Sequence, residues 1–479
     1  MTTTHDIIGR FLPLPGRGGV VAMSEGRWSR CVLKYLHWLW RTDVGIIVTM
    51  GLFVLFIILP LACRHLPYSY YVSRNEREHL LNAEASERAS VESAWARRYM
   101  RTAGEDRRDG RTAGEDRRDG RTAGEDRRRS EVHIGHRKKD PFGVEEGDVN
   151  VGVSEYLEEG VPRVEDYEER ALRARPETTS PKAPGVDLAI VVVTIGRREH
   201  YLTRVVTALH HLLTECGSPC RQHHLAICNV DPRPRSHTEA LDLAPLAKVF
   251  SRLDDEMASA ESERAGNVFE KEKQDYVFCL RWGLNLHPQN VVLLEDDAVP
   301  QGDFFPVLHH ILTRRAAQRA LYLKLYHPER LQGYLHPEPA RHLEWLGLGL
   351  MGAYLLYAPL YAVVHPNRHL KALTFLVLVV MIMLAAELVG RFYILELRRL
   401  SPHLYSLAPA SECCTPGMVF SSAGGKLALE LLLAETCRQG HAKDMALYVT
   451  ARQSGKTALV VEPNLVSHIG EHSSLNRAL

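Results

Sequence analysis

The sequence predicts an α/β domain on a mainly parallel sheet, interrupted by a membrane-spanning helical hairpin and preceded by a membrane anchor. Three observations lead there. After residue 186, apolar runs rich in β-branched residues alternate with helix-compatible segments, as parallel strands and crossover helices do. Three long, nearly charge-free runs occupy 44–63, 346–364 and 373–389, each about the length that crosses a bilayer. A hairpin returns the chain to the side it came from, so 64–342 and 392–479 share one face of the membrane and can build one domain.

Composition bounds the function. The chain has 479 residues, 45% hydrophobic, with a formal net charge of +1. That balance offers no whole-protein attraction for nucleic acid. The nine cysteines are too sparse for a disulfide scaffold and show no zinc spacing. Cys216 and Cys220 flank a turn and can pair. Cys413 or Cys414 can pair with Cys437, while Cys228 and Cys279, inside apolar runs, read as buried thiols.

The elements follow in order. Residues 1–43 form a basic, aromatic tail. The run VGIIVTMGLFVLFIILPLAC at 44–63 is too long and too far from the start for a cleaved signal, so it reads as an uncleaved anchor. A slight excess of Arg and Lys before it, with Arg368 and Lys371 in the later hairpin loop, places the tail in the cytosol and the bulk in a lumen. Residues 64–185 read as a stem. Within it RTAGEDRRDG occurs twice, then RTAGEDRRR, over 101–129. A repeat without large apolar residues cannot bury a core, so it is expected to be a solvated helix or disordered.

The compact part runs over 186–342, then 392–479 after the hairpin at 343–391. VDLAIVVVTIG at 186–196 predicts a buried strand. Strands are also expected at 223–230, 290–294, 321–326 and 458–462, and helices at 201–214, 270–285 and 304–314. Glu387, within the third apolar run, is expected to face its partner helix or the interface.

Four motifs carry chemistry. Glu295, Asp296 and Asp297 follow a four-residue apolar strand. Carboxylates that close repel one another unless a cation or donors neutralise them, and a strand's carboxyl end is where open α/β sheets bind ligands. Their oxygens suit Mn2+ or Mg2+, which can stabilise a departing diphosphate. An ordinary acidic turn is the bland alternative. PNLVSHIGEHSS offers His468 and His472 as imidazole ligands. Thr194-Ile-Gly-Arg197, closing the first strand, combines a tight-turn glycine with a phosphate-seeking guanidinium. Lys273-Gln-Asp275-Tyr276 lies on the helix before the acidic strand. Gly455-Lys456-Thr457 imitates a phosphate loop, but Thr450 stands where its first glycine is required, so it reads as a turn.

In that order the four motifs resemble the N-acetylglucosaminyltransferase IV group of GT-A-fold enzymes. The hairpin, absent from that group, makes the chain more similar to the post-GPI-attachment N-acetylgalactosaminyltransferases of the Golgi. The resemblance covers the anchor and 186 onward, not the decapeptide repeats. It implies a GT-A-like, Rossmann-type nucleotide-sugar domain, UDP-GalNAc as donor, a mannose of a GPI-anchored protein as acceptor, and a β1,4 linkage. It implies metal ligation by Asp297, Glu295 and His468, with Asp296 near the ribose or in an outer shell. Thr194, Arg197, Lys273 and Asp275 are then nucleotide contacts. Asp444 is the candidate base for an inverting transfer, with helix N-terminal capping as its alternative. Rival expectations are a GT-A enzyme using another UDP-sugar on an N-glycan, and an inactive membrane scaffold.

Overall fold

The computed structural model describes residues 43–119, 187–252, 265–363 and 368–470. His472, most of the stem and the last decapeptide repeat lie outside them. The chain divides into two compact units, Met1–Leu81 with Arg330–Ile394, and Asn82–Glu329 with Leu395–Leu479.

In chain order the longer helices and the strands are α1 (Asp43–Phe53), α2 (Arg74–Asp119), β1 (Leu188–Thr194), α3 (Tyr201–Cys216), β2 (His223–Asn229), β3 (Lys248–Ser251), α4 (Val268–Asn285), β4 (Asn290–Glu295), β5 (Ala298–Pro300), α5 (Phe304–Leu312) and β6 (Tyr322–Lys324). Then come α6 (Pro339–Val363), α7 (Arg368–Val389), β7 (Ser406–Pro409), β8 (Gly417–Ser421), α8 (Ser422–Ala434), α9 (Lys443–Gln453), β9 (Ala458–Glu462) and β10 (Val466–His468). Helix α2 takes in the first decapeptide repeat and most of the second.

The larger unit holds an eight-stranded sheet in the order β3-β2-β1-β4-β8-β6-β9-β7. β3, β2, β1 and β4 are mutually parallel. β8 runs antiparallel between β4 and β6, β9 is parallel to β6, and β7 is antiparallel to β9. Strands from after α6 and α7 therefore interleave with strands from before them. β1 is buried on both faces, which is why it reads as a continuous apolar run. Ile190, Val192, Val292 and Leu294 pack on one side with α3 and α5. Val191, Val291 and Leu293 pack on the other with α4, α8 and α9. Gly283 lets α4 settle onto the sheet, since a Cβ there would lie 2.8 Å from Val291 Cγ1.

β3, β7, β8 and the β5–β10 ribbon were not expected from the sequence. Each has only three to five residues, too few to show a period.

In the other unit α1 continues through a π-helical turn, Val54–Ile58, to Ala62. α7 packs against both α1 and α6. Gly349 permits the close approach, as a Cβ there would lie 2.6 Å from Met383 Cγ. Among the described residues, two helices are long and apolar enough to cross a membrane, over Gly45–Ala62 and Ala372–Val389. Phe56 and Leu61 are 68% and 64% exposed. Glu387 is buried and its Oε2 accepts from the Tyr334 amide at 3.1 Å.

The cysteines correct part of the sequence reading. Cys216 pairs with Cys220 as expected. Cys228 and Cys279 are joined, tying β2 to α4, because adjacent apolar layers bring two distant thiols together. Cys413 pairs with Cys414, leaving Cys437 buried and free.

Candidate active site

β1 leads left to β2 and β3, whereas β4 lies on its other side, so the strand order reverses between them. A crevice opens at the carboxyl ends of strands at such a point. Thr194 ends β1 and Glu295 ends β4. A cavity there is lined by Thr194, Arg197, Asp275, Glu295, Asp296 and Lys443, among others.

The acidic triplet divides by direction. Asp296 is buried, and its Oδ2 accepts from the Thr194 hydroxyl at 3.0 Å and the Ile195 amide at 3.4 Å. His237 Nε2 lies 3.0 Å from the same hydroxyl. Arg197 spans both aspartates, with Nη2 3.1 Å from Asp296 Oδ1 and Nη1 2.9 Å from Asp297 Oδ2. Burial raises the Asp296 carboxyl against the pull of Arg197, and the Asp297 charge adds to the rise. Burial also pushes Asp297 up, but hydrogen bonding and charge from His468, then Arg197, outweigh it and hold the group below the ordinary range.

His468 arrives from far along the chain. β10 pairs antiparallel with β5, placing His468 opposite Ala298, and Ile469 N donates to Asp297 O at 2.9 Å. His468 Nε2 then lies 3.5 Å from Asp297 Oδ2, with a third of its side chain exposed. Burial lowers this imidazole, but the Asp297 contact outweighs that and shifts it up. A ligand atom from each of Glu295, Asp297 and His468 falls within 4.8 Å of the others. Asp297 Oδ1 is buried with no hydrogen-bond partner. Two carboxylates and an imidazole around an unpartnered buried oxygen fit a divalent ion of the Mn2+ kind. Gly470 passes so close that a Cβ there would lie 2.2 Å from Asp297 Oδ2.

The other wall is one face of α4. Val268, Lys271, Glu272, Asp275 and Tyr276 all line the cavity, the spacing of successive turns on one helix side. Asp275 is in the wall, held by Arg252 Nη2 at 2.7 Å and Lys271 Nζ at 3.0 Å. Lys273 was expected to meet the nucleotide. It lies off this face, two residues or about 200° from Lys271, and its Nζ bonds Glu435 O at 2.7 Å and Glu270 at 2.8 Å.

A similar offset separates Asp444 from its neighbour. Asp444 is half-buried, and its oxygens accept from the amides of Cys414 at 3.1 Å and Met445 at 2.9 Å. That is the capping alternative. Lys443, one residue earlier, turns into the cavity instead. Its Nζ sits 2.7 Å from Glu295 and 2.8 Å from Glu272, and 5.2 Å from the Tyr276 ring centroid. Those two carboxylates outweigh burial and raise its pKa well above the usual lysine value. Lys443 and Glu272 escaped sequence reasoning because neither stands in a recognisable run. The helical period of α4, counted from Tyr276, would have pointed to Glu272.

Residues 188–467, more than half of the chain, match the family model described as GPI-N-acetylgalactosamine transferase PGAP4. Among solved structures, the chain is similar to glucosyl-3-phosphoglycerate synthase from Mycobacterium tuberculosis in complex with Mn2+, UDP and glucosyl-3-phosphoglycerate. That match has 14% identity and a TM-score of 0.28, covering 63% of this chain and 81% of the other. A likeness at that level carries no argument.

Proposed function

Because the chain belongs to the GPI-N-acetylgalactosamine transferase family, we propose that this glycosyltransferase moves N-acetylgalactosamine from UDP-GalNAc to a mannose of the GPI glycan on an anchored protein. The transfer is inverting, forms a β1,4 linkage and takes place in the Golgi lumen. The observation that carries this reading is the clustering of Glu295, Asp297 and His468 beside the crevice that Arg197, Glu295 and Lys443 line at the sheet's reversal point.

Glu295, Asp297 and His468 hold the divalent ion, Mn2+ or Mg2+. When bound, the ion supplies positive charge to the diphosphate that leaves. Thr194 fixes Asp296, which faces the ribose from the floor of the crevice. Arg197 offers the diphosphate a planar cation with fixed donors. The α4 face, with Asp275 and Tyr276, forms the wall against which the nucleoside lies. Asp444, in the first turn of α9, is the candidate to take the proton of the acceptor hydroxyl, and to do so its carboxylate must give up the Cys414 or Met445 amide.

The membrane reading rests on α1, α6 and α7. Three spans with a short cytosolic loop return the sheet's second half to the lumen. The three disulfides suit such an oxidising compartment. An acceptor held at the surface by its own lipid is met there at raised effective concentration.

The deciding experiment is turnover of a UDP-sugar panel by the purified full chain in detergent, with and without Mn2+, on a GPI-glycan acceptor. Metal-dependent transfer from UDP-GalNAc is expected. Preference for another UDP-sugar, or equal transfer to a lipid-free N-glycan, overturns the donor or acceptor assignment. Asp444→Asn should lose turnover while UDP affinity holds; unchanged turnover removes it as base.

A further inference from the structure

The carboxylates that suit a divalent ion already have cations on them. Lys443 Nζ contacts Glu295 Oε1 at 2.7 Å. Arg197 Nη1 contacts Asp297 Oδ2 at 2.9 Å, the same oxygen that faces His468. An ion drawing on Glu295 and Asp297 competes with both for the negative charge of the same carboxylates. It also brings two positive charges beside an ammonium and a guanidinium, which repel it in a buried site.

Both cations have somewhere to go. Lys443 and Arg197 both line the cavity. Lys443 has a second carboxylate, Glu272, whose Oε2 is buried and unpartnered. Its ammonium can release Glu295 without being left uncompensated, a state that is costly in a buried site. Arg197 has a buried Nε with no acceptor, so its guanidinium is under-used on the aspartates alone.

We propose that Lys443 and Arg197 are exchangeable counterions: they hold Glu295 and Asp297 in the metal-free protein and turn to the donor's diphosphate once a divalent ion takes those carboxylates. The inference rests on the nucleotide-sugar reading above and adds a coupling to it. Lys443 opposes the metal alone and favours the diphosphate that follows. Glu272 is the positioning residue that keeps Lys443 in reach during the exchange. Metal and donor then load in order, because the first frees the donors that the second needs.

A prop that only holds α9 against β4 predicts something different: its loss loosens the site and weakens every ligand. The test is a Mn2+ titration of the full chain in detergent without nucleotide, read as free Mn2+ by electron paramagnetic resonance. A UDP titration at saturating Mn2+ follows. Lys443→Met is expected to tighten Mn2+ about fivefold and to weaken UDP about tenfold, opposite signs for the two ligands. Glu272→Gln keeps the shape of the wall and removes one of the two carboxylates that Lys443 meets among the described residues, so Mn2+ alone should weaken about threefold while UDP at saturating Mn2+ does not weaken. That variant decides the matter if Lys443→Met fails to fold. Weakening of both ligands by either variant, or unchanged or tighter Mn2+ binding by Glu272→Gln, overturns the proposal. Wild-type protein that binds neither Mn2+ nor UDP overturns the nucleotide-sugar reading itself.

Discussion

Two buried ion-pair clusters, one in each unit, show how a structural pair differs from a site. In the helical unit Arg391 is 2% exposed and meets Glu344 at 2.7 Å. It also donates to Gln332 O at 3.4 Å and lies 5.7 Å from the Tyr334 ring centroid. There a carboxylate matches the cation, and backbone and ring add to it. At the end of β4 four carboxylates, Glu272, Glu295, Asp296 and Asp297, share two permanent cations. Three of those acids keep a buried oxygen without a hydrogen bond: Glu272 Oε2, Asp296 Oδ1 and Asp297 Oδ1. A surplus of carboxylates beside a cavity is relieved by protonation, as the raised Asp296 carboxyl shows, or by a cation that joins them, and the second is what a binding site supplies.

The largest effect that sharpens this contrast falls on catalysis. Asp297→Ala should lower kcat on the order of 10³-fold, about 4 kcal/mol of transition-state stabilisation, and abolish metal-dependent UDP binding. Chemical denaturation should show only a modest loss of stability, since His468 loses its partner but Asp296 still meets Arg197. Unchanged UDP binding would take the metal away from this residue.

Arg391→Met should behave in the reverse manner. Stranding Glu344 is expected to cost about 3–5 kcal/mol, whereas Arg391→Met with Glu344→Leu should recover most of it. Thermal unfolding of the single and double variants checks this. A double variant no better than the single would mean that the pair does more than close its own account.

Gly470→Ala comes next. Its new Cβ must push aside Asp297, which Arg197 holds in place, and a loss of about 10- to 100-fold in metal affinity is expected. Wild-type Mn2+ binding would show that the carboxylate can yield.

The smallest effect lies far from either cluster. His223 Nε2 and His309 Nε2 meet at 2.8 Å between β2 and α5. Burial, then the His309 charge, lowers His223 from 6.5 to about 4, so the unfolded chain binds this proton first. The contribution is full above pH 6.5 and is lost as pH falls from 6.5 towards 4. Melting should occur about 2–4 °C lower at pH 5 than at pH 7.5, with a shallower slope in His309→Phe. Equal slopes would assign the acid sensitivity elsewhere.

Legibility in the sequence followed length and period. The runs behind β1, β2, β4 and β9 declared themselves, because strands buried on both faces must be apolar throughout. So did α3, α4 and α5. The acidic triplet was visible because three adjacent carboxylates at a strand end are unusual. His468 stood out only as part of a longer motif. Lys271 against Lys273, and Lys443 against Asp444, were beyond a linear reading. On a helix one or two positions change the direction of a side chain by 100° or 200°, and the phase is set by which face packs.

By itself the sequence determined that the runs of β1, β2, β4, β6 and β9 are strands, which runs are apolar enough for lipid, and that acids gather at the end of β4. It also allowed one domain to be built from both sides of the inserted helices. Only the tertiary structure decided that β8 enters between β4 and β6, that Cys228 meets Cys279, and that β10 carries His468 to Asp297. The reason is physical. Local pattern reports what a residue can bury, whereas charge compensation depends on which distant segments the sheet brings within about 4 Å of one another.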